Sequence, residues 1–268
     1  MKKRNLRSVL FIALAFSLCT LSCSKSDNNG GDPGDGSPSG DSIKLVQNAT
    51  LGMVITDKSG RTLYFFSLDA NGKSGCMDGC TAAWPIYYVK TPLLSSGLKS
   101  DDFGTITRTD GKPQTTYKGW PLYYYAEDAA AGQTKGEGFG GKWFVAKADY
   151  SIMISNKTDD NTVQYFTDDY GKTLYAYAPD KKNINNYTKS DFSNNSIWPI
   201  YTVSTVGKVP SVLKLTDFQI ITVFGRKQLT YKGWPLYYYG PDESVRGVIK
   251  GESSIWPLVN ANSTAAVD

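Results

Sequence analysis

The 268-residue chain contains no histidine. That excludes Ser–His and Cys–His nucleophile pairs, His-ligated zinc and His-ligated haem. Cysteine is scarce as well: of four, Cys19 and Cys23 lie near the start, and only Cys76 and Cys80 belong to the body. The longest apolar run, Val9 to Leu21, has 13 residues, too few for the ~20 of a membrane-spanning helix. No G-x-S-x-G and no P-loop motif occurs, and no stretch sustains the 3.6-residue period of an amphipathic helix. Positive charge is also missing where it would matter. Four of the 29 basic residues (Lys2, Lys3, Arg4, Arg7) precede the apolar run, leaving 25 against 25 acidic residues. No basic field remains to hold nucleic acid.

What is present begins with an address. Residues 1–22 read as a signal peptide, with a basic start and a short apolar stretch. It ends Thr20-Leu21-Ser22-Cys23, which resembles the cleavage box of bacterial lipoproteins and makes Cys23 the residue expected to be acylated. Residues 23–42 hold the lipidated Cys and a linker of Ser, Gly, Asp, Asn, Pro and a lone Lys. Such a composition buries no apolar surface and spans roughly 25 Å as a flexible chain. The expected location is the cell envelope, with the lipid bilayer as first partner through Cys23. In a bacterium with two membranes, Ser24 after the Cys points to the outer membrane or the cell surface.

The body repeats itself. Gly60-Arg-Thr-Leu-Tyr64-Phe-Phe66-Ser-Leu-Asp69 has copies at Gly119 to Asp128, Gly171 to Asp180 and Gly233 to Asp242. All four read G-x-x-L-Y-x-[FY]-x-x-D. A Trp follows each Asp: Trp84, Trp143, Trp198 and Trp256 lie 15, 15, 18 and 14 residues on. Longer identities join the copies in pairs, since Tyr117 to Tyr125 recurs unchanged as Tyr231 to Tyr239, and Lys135-Gly-Glu137 as Lys250-Gly-Glu252. Two tandem units follow, 43–155 and 156–268, with a polar hinge at Ser155 to Asp160.

Within a copy, neighbouring residues of a strand point to opposite faces, so Tyr64 and Phe66 share one face, Leu63 and Phe65 the other. Apolar residues on both faces predict a strand covered on both sides. Turn residues at Asp57 to Gly60, Asp110-Gly111 and Asp168 to Gly171 predict β-hairpins. Only Cys80 to Trp84, Ser100 to Phe103 and Ser190 to Asn194 suggest a helical turn. The expected fold is all-β: two pseudo-repeat units of two hairpin modules each, closed as a propeller-like ring or paired as a sandwich.

These residues resemble the bacterial secreted-repeat lipoproteins described by a Tyr-x-[Phe/Trp/Tyr]-x-x-Asp motif. The Asp57 to Tyr64 lead-in, the Cys76-x-x-x-Cys80-x-x-x-Trp84-Pro85 segment and the Gly-rich run at Gly132 to Gly138 carry the likeness further. The resemblance implies location and fold, and no biochemical activity. The second unit lacks the cysteines and most of the Gly-rich run.

The candidate sites follow. Tyr64, Phe66, Asp69, Tyr123, Tyr125, Asp128, Tyr175, Tyr177, Asp180, Tyr237, Tyr239 and Asp242 are expected to be structural, each Asp capping a strand exit or accepting a hydrogen bond from a buried Tyr hydroxyl. A catalytic site seldom recurs in every module, whereas a fold requirement does. Cys76 and Cys80 are expected to form a disulfide outside the cytoplasm. Alternatively they form a redox pair or a Cu(I) site with Met77 as third ligand. Asp69-Ala-Asn71-Gly72 resembles the start of a calcium loop without its later carboxylates. The adjacent acids Asp101/Asp102, Glu127/Asp128 and Asp242/Glu243 are read as solvated turns. No catalytic residue, metal or cofactor is expected. The leading function is a non-catalytic binding or structural role toward an unidentified envelope or extracellular partner. The alternatives are thiol-redox or copper handling through Cys76 and Cys80, and glycan binding on Trp84, Trp198, Trp120 and Trp234.

Overall fold

The computed structural model describes residues 42–268. The signal peptide, Cys23 and the linker up to residue 41 lie outside the described residues. Ser42, expected as the last residue of the linker, instead begins a strand.

Thirteen short strands make up the described chain. The first unit holds β1 (Ser42–Asn48), β2 (Gly52–Thr56), β3 (Tyr64–Phe66), β4 (Leu93–Leu94), β5 (Phe103–Thr107), β6 (Pro113–Tyr117), β7 (Trp120–Pro121) and β8 (Trp143–Val145). Then come β9 (Met153–Asn156), β10 (Gln164–Thr167), β11 (Phe218–Val223), β12 (Arg226–Tyr231) and β13 (Trp234–Pro235). They pair as five small sheets: β2-β1-β4, β3-β8, β5-β6-β7, β10-β9 and β11-β12-β13. None of these sheets closes into a barrel or a propeller ring. The fold is all-β in two tandem repeats. One α-helical turn, Cys80–Ala83, and a 3₁₀ turn at Ser100–Asp102 stand where helical turns were expected. Residues 190–194 form turns only. Among the described residues no helix is long and apolar enough to cross a membrane.

Local chemistry sets the turns. Asp57 Oδ1 accepts the backbone N–H groups of Ser59 and Arg61, each at 2.9 Å, and Asp168 Oδ1 does the same for Tyr170 and Lys172. The residue pairs Lys118-Gly119 and Lys232-Gly233 both have positive φ, 48° and 77°, then 47° and 87°. That is the two-residue type I′ turn whose twist matches a hairpin, and it joins β6 to β7 and β12 to β13. The β5–β6 hairpin forms at its expected place. The expected hairpin from Met53 through Phe66 forms only next to its turn, where Thr56 bridges Thr62. Beyond that, β2 pairs with β1, and β3 leaves to pair with β8, nearly eighty residues on.

The alternation in each motif sorts its side chains between two cores. Leu63, Phe65 and Leu122 join one cluster, while Tyr64, Phe66, Tyr123 and Tyr125 join another. In the second unit Leu174, Ala176 and Leu236 join one cluster, and Tyr175 and Tyr237 the other, with Tyr177 and Tyr239 packed against it. Both faces of the strand are thus covered.

The junction between units departs from expectation. Met153–Asn156 is paired strand, and Ser155 and Asn156 are buried. The boundary at 155/156 falls inside the β9–β10 hairpin, where Ser155 Oγ lies 3.2 Å from Thr167 Oγ1 and Ser67 Oγ donates to Asn156 Oδ1 at 2.6 Å. Of the expected hinge, Ser155 and Asn156 are thus strand satisfied by protein, while Thr158 to Asp160 lie in the exposed turn of the hairpin.

Candidate functional site

Each unit is built on a pair of motif strands crossing at their first tyrosines. Tyr64 N–H donates to the Tyr123 carbonyl at 2.9 Å and Tyr123 N–H to the Tyr64 carbonyl at 3.1 Å. Tyr175 and Tyr237 exchange the same two bonds, both 2.9 Å. This crossing carries each tyrosine hydroxyl to the far end of the other copy. Tyr64 donates to Asp128 Oδ2 at 2.5 Å and Tyr123 to Asp69 Oδ2 at 2.6 Å. In the second unit Tyr175 donates to Asp242 at 2.7 Å and Tyr237 to Asp180 at 2.6 Å. Four Tyr–Asp clasps result, two per unit, each linking one copy to its sibling.

The other carboxylate oxygen closes the loop that follows. Asp69 Oδ1 accepts Gly75 N–H at 2.7 Å, Asp128 accepts Lys135 N–H at 2.9 Å, Asp180 accepts Asn186 N–H at 2.7 Å, and Asp242 accepts Lys250 N–H at 2.9 Å. All four aspartates are buried. Asp128 and Asp242 therefore do not sit in solvated turns, because the fold uses both their oxygens; only their neighbours Glu127 and Glu243 are exposed. Burial raises Asp69 to about 7 and Asp180 to about 6, against the lowering effect of their tyrosine hydrogen bonds. Burial, then the facing carboxylate, raises Tyr123 and Tyr237 above the ordinary tyrosine range, so both hydroxyls stay protonated and donate.

The second aromatic of each motif ends a four-ring stack. Trp84 lies flat on Trp143 with centroids 3.8 Å apart and planes 2° apart, flanked by Tyr125 at 4.4 Å and Phe66 on the Trp143 side at 4.0 Å. Trp198 and Trp256 repeat this at 3.6 Å and 5°, flanked by Tyr239 and Tyr177. A Cβ on Gly136 would sit 2.7 Å from Trp84, and one on Gly251 2.7 Å from Trp198. The repeated Lys-Gly-Glu thus lets the backbone pass over the stack. The ring faces are covered: Trp84, Trp120 and Trp198 are buried, and of the four proposed glycan-contacting tryptophans only Trp234 is partly exposed.

Cys76 and Cys80 are joined in a disulfide. Arg108, 4 % exposed, organises this loop. Its guanidinium donates to the Cys76 carbonyl at 2.9 Å, to Met77 Sδ at 3.1 Å and to Gln114 Oε1 at 3.1 Å, and also reaches Ser74 Oγ. A guanidinium on the Met77 sulfur and a bond between the two other sulfurs leave no donor set for Cu(I). In the second unit asparagines replace the staple. Asn185 Nδ2 donates to Gln228 Oε1 at 2.7 Å and Asn194 Nδ2 to the Tyr187 carbonyl at 2.7 Å. Reduction of the disulfide should therefore lower stability by about 2 kcal/mol or less, as a loop this short implies. Urea denaturation with and without reductant checks this. A loss twice that size would show that Arg108 does not hold the loop.

Sequence reasoning overlooked Arg108, Arg246 and the glutamine pair Gln114 and Gln228. The glutamines had a signal, since both stand three residues before the repeated Tyr-Lys-Gly-Trp. Each donates through Nε2 to the carbonyl of its motif leucine, Leu122 or Leu236, at 2.9 Å. Arg108 had none, as Val223 occupies its place in the other unit.

Asp242 lines a cavity of about 20 Å³ with Thr173 and Tyr239, room for a single water. A larger open groove, about 420 Å³, lies beside Lys118, Tyr170 and Arg246 and contains none of the motif aspartates. The clasps hold the backbone, each carboxylate engaged by a tyrosine hydroxyl on one oxygen and a backbone N–H on the other.

Two stretches, 46–87 and 104–147, match a family profile described as a secreted repeat of unknown function. No curated protein and no solved structure matches the chain. The two matched stretches are the two halves of the first unit, each containing one leading Tyr of a crossed pair, and the second unit repeats their Tyr and Asp pattern. Residues 46–87 and 104–147 are thus similar to the secreted repeats of unknown function that this profile describes.

Proposed function

We propose that this protein is a non-catalytic repeat protein of the cell envelope, tethered to a membrane by lipid on Cys23, whose body serves a binding or structural role outside the cell. The observation that carries this reading is the reciprocal clasp. All four motif aspartates are engaged by tyrosine and backbone donors, which leaves the most repeated residues of the chain to the fold and not to a substrate. The covered tryptophan faces speak against a glycan platform on those rings. The capped Met77 sulfur speaks against copper handling at Cys76 and Cys80.

Detergent phase separation of cells expressing the full chain tests the tether. The native protein is expected in the detergent phase and Cys23→Ser in the aqueous phase; a Cys23→Ser variant that stays with detergent removes the lipid from the reading. Thiol titration of the same preparations addresses the redox alternative. A disulfide that resists a mild dithiol supports the structural role, and rapid exchange with copper uptake would overturn it.

A further inference from the structure

The two units meet at a groove that both of them possess. In the first unit its floor is the Lys118-Gly119-Trp120 turn, on which Arg246 and Asp169 of the second unit are seated. Arg246 donates through Nη1 to the Lys118 carbonyl and through Nε to the Ala70 carbonyl, both at 2.7 Å, with its guanidinium 5.1 Å from the Trp120 ring. Trp120 Nε1 donates to the Asp169 carbonyl at 3.0 Å, and the Lys118 ammonium pairs with the Asp169 carboxylate. A Cβ on Gly119 would lie 1.7 Å from Arg246 Nη1, so the arginine is seated where only glycine leaves room.

In the second unit the same turn, Lys232-Gly233-Trp234, meets residues 261–268 of the chain. Three of the five contacts find a substitute. Ala266 N–H takes the place of Arg246 and donates to the Lys232 carbonyl at 2.9 Å. Trp234 Nε1 donates to the Thr264 carbonyl at 2.8 Å, as Trp120 does to Asp169. Lys232 Nζ donates to the carbonyls of Ala261 and Ser263, both at 3.0 Å, in place of an aspartate. The substitute is leaner: Trp120 is 0 % exposed, whereas Trp234 remains partly exposed.

We propose that the Lys232-Gly233-Trp234 groove is a docking surface for a further repeat unit, and that residues 262–268 are a plug seated in it. The unit it fits carries an acidic residue and an arginine where the second unit carries Asp169 and Arg246. The first unit of this chain does not qualify. Its equivalent turn is held by Asp57 as the other is by Asp168, and Gly132 N–H meets the Gly60 carbonyl as Gly247 N–H meets Gly171. These matches align Lys58 with Asp169 and Ala131 with Arg246. Docked head to tail, Lys58 would face Lys232, like charge against like, and no arginine would reach the carbonyl. Copies of this chain are thus barred from one another, while a unit of complementary charge is admitted once the plug yields.

The test uses two full-length chains, each also carrying Cys23→Ser. The host has Ala266→Glu, which forces a charge against Gly233 and ejects the plug; a host ending at Ala261 serves if that variant fails to fold. The guest has Lys58→Asp and Ala131→Arg. Sedimentation velocity should show a one-to-one host–guest complex, with the plugged native chain binding the guest at least about ten-fold more weakly. Adding Lys232→Glu to the host should abolish it. Folded host and guest that remain separate at high micromolar concentration would overturn the docking surface. Equal binding by plugged and unplugged hosts would overturn the plug.

Discussion

Between pH 5 and pH 8 the folded protein should lose stability, and Asp69→Asn should remove most of that loss. Burial raises Asp69 to about 7, above the ~3.9 of an exposed aspartate. A carboxyl raised by folding binds its proton more tightly in the native state than in the unfolded chain. Its stabilising contribution is complete below the unfolded value and declines as pH climbs to the folded one. For Asp69 the linkage amounts to about 2.5 kcal/mol across this window, and Asp180, raised to about 6, adds about 1 kcal/mol. Asparagine suits the site because it keeps an oxygen for Gly75 N–H and presents an amide donor to the Tyr123 oxygen, which can turn its own proton toward Ser74 Oγ, 2.7 Å away. Urea midpoints of both proteins across the window provide the measurement. A flat profile in the native chain would mean that Asp69 is ionised throughout and that the clasp is a charge–dipole contact.

Trp84→Ala should cost about 4 kcal/mol, within the range for emptying a large aromatic site that cannot collapse. Trp84 touches Trp143 and Tyr125 face to face and meets Tyr64 edge-on at 5.4 Å, so its loss opens a gap between two rings of the sibling copy. The flanking rings cannot close it, since Tyr64 is held by Asp128 and Trp143 by the β3–β8 pairing. Trp198→Ala should behave alike, because the second stack has the same order. Thermal and urea unfolding of both variants are the checks; a loss under about 1 kcal/mol at either position would show that stack to be ornamental.

Much of this was legible in the residues. The quartet of G-x-x-L-Y-x-[FY]-x-x-D copies announced strand modules, and the alternation inside each named which side chains face which core. A local pattern carries no address, however. Nothing in Tyr64 says that its hydroxyl belongs with Asp128, 64 positions away, and not with Asp69, five away. The crossing that decides it is made by strand pairing across the unit, and so is the departure of β3 toward β8. The same limit hid the tryptophan stack, although all four gaps from Asp to Trp were plain. The hinge reading at Ser155 failed for another reason: polar side chains look alike in sequence whether water or Thr167 satisfies them. Arg108 and Arg246 escaped because each occurs once, at positions held by Val223 and Ala131 in the sibling unit. Repetition reveals what the modules share and conceals what joins them.

The exchange of hydroxyls between sibling copies constrains how such a gene can lengthen or shrink. A lone hairpin added to the array would bring a phenol and a carboxylate with no counterpart, both destined for the interior. Ancestors of this architecture would have grown by even steps, and during synthesis the first half of each unit stays unfinished until its twin emerges.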